Sequence, residues 1–134
     1  MLGDWSRTAD SLPREPGAYT LLIMLVRETA EFAPGRYAYL GSARGPGGIR
    51  ARCARHLRKD KALRWHVDRL TVAGHIAALP VPEGDECALT ATLLAHGATV
   101  PVPGFGSSDC RSCSAHLVAL PDSLNDTKLA ALLR

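Results

Sequence analysis

The sequence predicts a single α+β domain, and three observations carry that expectation. Two apolar stretches with strand alternation, 17–26 and 36–41, follow one another and pair most simply as an antiparallel hairpin. A glycine-rich turn then leads into a basic helix with one apolar stripe, 48–58. After it, helical and strand patterns alternate to the end of a chain of 134 residues, a length that fits one core.

Taken in order, residues 1–16 read as a lead-in, with Pro13 and Pro16 preventing a long helix. Asp10 or Ser11 can cap a short turn there. The first strand, 17–26, is apolar on both faces: Tyr19, Leu21, Ile23 and Leu25 on one, Leu22, Met24 and Val26 on the other. Such a strand belongs in the middle of a sheet covered on both sides. The second strand, 36–41, puts Tyr37, Tyr39 and Gly41 on one face. Gly45, Gly47 and Gly48 make the turn, and in the helix after it Ile49, Cys53 and Leu57 form the stripe, flanked by Arg52 and His56. Arg50, Arg55 and Arg58 are expected to face away, toward solvent or a polyanion. A second helix is expected over 63–70, a third strand over 72–79, and a helix over 86–96 capped by Asp85 and closed by Gly97. On that helix Glu86 shares a face with Leu89, Thr90 and Leu93. A long connection covers 97–114, a short strand 116–120, and a final helix 124–133 starts from Asp122 or Ser123 within the C-terminal segment 121–134.

A hydrophobic fraction of 46% is that of a globular chain, and a net charge of +3 permits nucleic acid binding without requiring it. The longest apolar run, 21–26, is too short to span a bilayer, and no signal peptide pattern opens the chain. A soluble, cytoplasmic protein is expected, in which the four cysteines are reduced thiols or metal ligands rather than disulfides.

Three separated segments carry the chemistry: Gly17-Ala18-Tyr19, Tyr39-Leu40-Gly41 and Arg52-x-x-x-His56, with Glu86 following at the start of a later helix. In this order they resemble the signature of the GIY-YIG nuclease superfamily, with GAY and YLG as the two triplets. The stretches WHVD, ECAL and GFGSSDC are most similar to a small, uncharacterised branch of it, sometimes joined to DNA repair enzymes of the endonuclease III type. The resemblance covers the chain from Gly17 to about Cys113.

It implies a three-stranded antiparallel sheet flanked by helices, or one slightly larger, that cuts a DNA phosphodiester with one Mg²⁺ or Mn²⁺. It places catalysis on Tyr19, Tyr39, Arg52, His56 and Glu86, with Tyr19 as general base and Glu86 as metal ligand. Arg52 would hold phosphoryl oxygens by its planar fork. DNA contacts would come from Arg44, Arg50, Arg55, Arg58 and Lys59, and a DNA repair protein is the implied partner. Ala18 and Leu40 stand for isoleucines, and the interval between the triplets is long. The late asparagine of many active members is not evident, and Ser107, Ser108 or Asp109 can replace it.

Each residue has a plainer reading. Tyrosines on strands are commonly core, a glutamate in a first helical turn meets the helix dipole, and Arg52 with His56 can be a solvated face. A second set, Cys87, Cys110, Cys113 and His116, supplies soft ligands suited to zinc. His66 and Asp68 can pair or line the cleft, and Trp65 reads as a core plug. The functions in competition are thus a DNA endonuclease, a non-catalytic nucleic-acid-binding module on the same fold, and a zinc-stabilised interaction domain.

Overall fold

The computed structural model describes residues 5–29, 32–63, 67–102 and 116–134. Among them the elements run β1 (Gly17–Leu25), β2 (Gly35–Ala43), α1 (Gly48–Leu57), α2 (Asp68–Ala73), β3 (His75–Val81), α3 (Glu86–Ala95), β4 (Leu117–Ala119) and α4 (Asp126–Leu133). The strands form one antiparallel sheet in the order β3-β1-β2-β4. The sheet is therefore four-stranded. The expected short strand exists, and it joins the hairpin at Tyr37, Ala38 and Tyr39.

β1 is apolar on both faces and both are covered except at its C-terminal end, where Met24 is exposed and Val26, expected in the strand, lies beyond it and exposed. On one face Tyr19, Leu21, Ile23 and Leu25 meet Ile49 and Cys53 of α1 and Leu70 of α2. On the other, Ala18 and Leu22 meet Leu89 and Leu93 of α3 and Leu129 and Leu133 of α4. This helix–sheet–helix sandwich places β1 and β2 at the centre, as a doubly apolar strand requires.

The lead-in is structural. Trp5 packs with the α3–α4 layer and donates its indole N–H to the Asp126 carbonyl at 2.9 Å. Ser6 pairs with Ala78 beside β3, and Leu12 enters the opposite layer, so the segment wraps the β3 edge. Its carbonyls then receive the first amides of α1: Ile49 N–H donates to Glu15 O and Arg50 N–H to Pro13 O, each at 2.9 Å. Those orphan donors are satisfied by the chain itself. Gly48 makes this approach possible. Its φ is +57°, and a Cβ there would lie 2.2 Å from the carbonyl oxygens of Arg14 and Glu15.

Element boundaries differ from expectation in two informative places. α2 begins at Asp68 rather than at 63, and Val72, expected in the third strand, lies within it. The strand itself starts at His75. Tertiary contacts hold that helix: Asp68 is fully buried against Arg55, and Lys59 Nζ donates to the Thr71 carbonyl at 2.6 Å and to the Gly74 carbonyl. The final helix starts at Asp126 rather than at Leu124. Asn125 caps it, accepting from Lys128 N–H at 2.9 Å, because Pro121 to Leu124 closes a separate turn. Asp85 caps α3 as expected, accepting from Ala88 N–H at 2.9 Å. Among the described residues no helix is long and apolar enough to cross a membrane.

Candidate functional site

The site gathers at one end of the sheet, where β1 begins, β2 ends and α1 and α3 start. Register decides the first contact. Tyr19 lies directly opposite Gly41 and Leu21 opposite Tyr39, so both phenols share the face beneath α1. A Cβ on Gly41 would lie 2.4 Å from Tyr19 Cζ and Oη. The glycine of the second triplet is thus the space into which the tyrosine of the first triplet lies.

α1 brings the other two groups. His56 is 1% exposed, and its Nε2 lies 2.8 Å from Tyr19 Oη. Tyr39 meets the same imidazole edge to face, with ring centroids 6.0 Å apart. Burial drives the His56 pKa down to about 3, reinforced by Lys61, Arg52 and Arg55 and opposed by Asp68. The ring is therefore neutral at pH 7, and it shares that hydrogen bond with the Tyr19 hydroxyl. Arg52 donates to the Ser42 carbonyl at 3.4 Å and reaches the Tyr19 phenol. Burial raises Tyr19 well above the usual phenol value, with Arg52 pulling the other way. Tyr39 is pushed up to about 12, by burial first and then by Glu86, again opposed by Arg52.

Glu86 stands in the first turn of α3 and is half-buried. It lines a cavity of about 310 Å³ together with Gly17, Ala18, Ser42, Arg44 and Asp85. Its field reaches Tyr39, and its Oε2 lies 3.8 Å from His116 Nδ1. Tyr19, Tyr39, Arg52 and His56 are thus in mutual contact or hydrogen-bonding reach, with Glu86 within electrostatic range at the same sheet end. The two groups differ in access. Tyr19 and His56 are sealed at 1% exposure, whereas Tyr39, Arg52 and Glu86 are half-buried.

The basic residues separate in the same way. Arg44 and Arg58 are exposed, and Arg44 borders the cavity. Arg50 and Arg55 do not face away as expected. Arg50 Nε donates to the Leu12 carbonyl at 2.7 Å, anchoring the lead-in. Arg55 grips both oxygens of Asp68 at 2.9 Å each, a bidentate pair that turns its fork inward. Lys59 holds the end of α2 as described above. The sequence did not mark Lys61, whose Nζ donates to the Arg55 and His56 carbonyls at 3.1 and 2.9 Å and to Thr71 Oγ1 at 2.7 Å. A lysine a few residues past a helix end is the signal that was available. Asp68 accepts from Arg55 rather than lining the cleft; Trp65 and His66 lie outside the described residues.

Cys87 is disulfide-bonded, which corrects the expected reduced thiol: a disulfide sulfur carries no thiolate charge for zinc. Cys53 is the free, buried cysteine among the described residues. Cys110, Cys113, Ser107, Ser108 and Asp109 lie outside them, as does the GFGSSDC stretch. His116 is 4% exposed, with Nε2 at 3.6 Å from Cys87 Sγ. Among the described residues no group of three or more histidine, cysteine, aspartate or glutamate side chains is placed to hold a metal. Glu86, with oxygen donors open to a cavity, fits a hard cation that keeps most of its water.

No curated protein and no solved structure matches the chain. One family model does, over residues 18–133, from the first strand to the end of α4 and including Tyr19, Tyr39, Arg52, His56 and Glu86. The chain belongs to that family, described as a domain of unknown function, DUF123.

Proposed function

We propose that this domain is a divalent-metal-dependent DNA endonuclease of the GIY-YIG type. One observation carries the reading: two tyrosines, an arginine and a histidine from β1, β2 and α1 meet at the sheet end where α3 presents Glu86. Isolated core tyrosines do not explain this set. A charged guanidinium and a half-buried carboxylate flanking buried phenols cost desolvation that a purely structural core avoids.

The roles follow from access. Glu86 would hold the cation, which when bound supplies charge neutralisation at the phosphate and support for the leaving oxygen. Arg52 offers its fork to the phosphoryl oxygens from behind Ser42. Tyr39 stands nearer to solvent and shapes the position of the attacking water. Tyr19, sealed and protonated at neutral pH, is held by a 2.8 Å hydrogen bond with neutral His56, and a bound cation would have to lower the phenol before it could take a proton from water. Arg44 and Arg58, two exposed cations of the set, contact phosphates outside the scissile one.

The test is cleavage of branched, nicked and plain duplex DNA by the purified chain with Mg²⁺ or Mn²⁺. Arg52→Ala and Glu86→Ala are expected to lose about 100-fold or more in rate with the fold intact. Intact DNA under all conditions refutes the reading. The burial of Tyr19 and His56 favours one alternative, a binding module that keeps the core without turnover. Binding that falls steeply with salt, without cleavage, identifies it.

A further inference from the structure

We infer that Lys61 is a positioning residue of the cleft: a buried ammonium that clamps the last turn of α1 onto α2 and holds the His56 ring against Tyr19. As a part of catalysis this role rests on the nuclease reading above; as geometry it stands on contacts of its own.

α1 ends without a left-handed glycine. Its C-cap, Arg58, is extended, and the Arg58 N–H reaches back to the Arg55 carbonyl at 3.2 Å. The carbonyls of a last helical turn find no partner inside their helix. Lys61 folds back to serve two of them. Its Nζ donates to the Arg55 and His56 carbonyls at 3.1 and 2.9 Å, and to Thr71 Oγ1 of α2 at 2.7 Å. An ammonium has three hydrogens, and here three acceptors meet them. The Lys61 side chain is 4% exposed, and the enclosed Asp68 carboxylate, 4.0 Å away, balances its charge. A cation in this place also meets the negative end of the α1 dipole.

The clamp bears on His56 in two ways. One of the pinned carbonyls is His56's own, so Lys61 fixes the backbone from which the ring reaches Tyr19 Oη at 2.8 Å. A displacement of about 1 Å there would carry the pair beyond hydrogen-bonding distance. The ammonium also acts through its charge. Facing His56 are Tyr19 of β1, Tyr39 of β2, Arg52 and Arg55 of its own helix, Asp68 of α2, and Lys61. After burial, Lys61 contributes most to keeping the ring neutral, against the pull of Asp68. A neutral imidazole can take a proton from a phenol or give one; a charged imidazole can only give. Lys61 itself is lowered to about 8, by burial first, with Asp68 opposing and Arg55, Lys59 and Arg58 adding, so most of it is charged at pH 7.

The experiment follows the His56 ring nitrogens by ¹⁵N-histidine NMR against pH in the full chain, as wild type, Lys61→Met and Lys61→Arg. Methionine keeps the length and removes the charge and the donors. In Lys61→Met the ring should begin to charge about one pH unit or more higher than in the wild type. The Tyr19 hydroxyl hydrogen should exchange about tenfold or more faster. Lys61→Arg, which keeps the charge and donors, should return the ring to wild-type behaviour. If Lys61→Met does not fold, the wild type decides alone: the Lys61 Nζ signal should titrate near pH 8, and the His56 ring shifts should inflect with it. A Lys61→Met protein that is merely less stable, with the His56 ring titrating as in the wild type, overturns the inference, as does a His56 signal with no inflection where Lys61 titrates. None of these readouts is cleavage. A chain that leaves DNA intact yet shows the shifted ring keeps the clamp and loses the nuclease reading, and a chain that cuts DNA with an unshifted ring does the reverse.

Discussion

Gly41→Ala tests the geometry of the site at its tightest point. The backbone of Gly41 is not in the left-handed region, so alanine meets no conformational strain there. In a strand interior alanine would ordinarily help, by roughly 0.5–1 kcal/mol. Sterics oppose this. The new Cβ would lie 2.4 Å from Tyr19 Cζ and Oη, against an ordinary contact of about 3.5 Å. The ring must retreat by ~1 Å, and Tyr19 is fully enclosed. Overpacking of this kind costs about 1–3 kcal/mol. Loss of the 2.8 Å bond to His56 adds about 0.5–1.5 kcal/mol. The steric term wins, leaving a net destabilisation of ~1–4 kcal/mol. Urea unfolding should show it as a midpoint lowered by about 1 M or more at an unchanged slope. If the domain cleaves DNA, a displacement of this size should also cost on the order of 100-fold in rate. A double-mutant cycle with Tyr19→Leu, which empties the space Gly41 serves, should recover much of the loss. A Gly41→Ala variant as stable as wild type, with the His56 ring resonances unmoved, would refute the packing argument.

The same contacts set three other expectations. The His56 pKa falls from 6.5 to about 3 on folding, so between these values the unfolded chain binds the extra proton. Stability contributed by neutral His56 is present above pH 6.5 and is lost as pH falls toward 3. The wild type should lose on the order of 4 kcal/mol more than His56→Asn over that window, measured by denaturant titration at each pH. Asp68→Asn leaves Arg55 and Lys61 facing each other without their shared carboxylate and should cost about 3–5 kcal/mol; a cost below ~1 kcal/mol would show that the pair does not hold α1 to α2. Gly48→Ala drives a Cβ into the Arg14 and Glu15 carbonyls at positive φ, so hydrogen exchange should accelerate at the Ile49 and Arg50 amides before the rest of the sheet. Equal protection in both proteins would mean that the lead-in adjusts without releasing α1.

Much of the architecture was legible because it depends on local pattern. Alternation with apolar residues on both faces marked β1 as central, and the cap at Asp85 marked the start of α3. α2 was misplaced because its end is set from outside, by Lys59 on its last carbonyls and by Asp68 buried under Arg55. The outward face assigned to Arg50 and Arg55 failed for a related reason. A helical wheel shows which side of α1 a residue leaves from, but not which carbonyl or carboxylate waits there.

The order of residue types along the chain, through the resemblance it carries, was enough to name Tyr19, Tyr39, Arg52, His56 and Glu86 as candidates, because glycine beside tyrosine on two strands and arginine four residues before histidine are local patterns. What they touch, and how far solvent reaches, was decided only by folding. Strand register puts Gly41 under Tyr19, the α1 layer seals His56, and the β4 edge carries His116 to the carboxylate on α3. Those distances arise between segments far apart in sequence, where packing rather than periodicity sets the position of each atom.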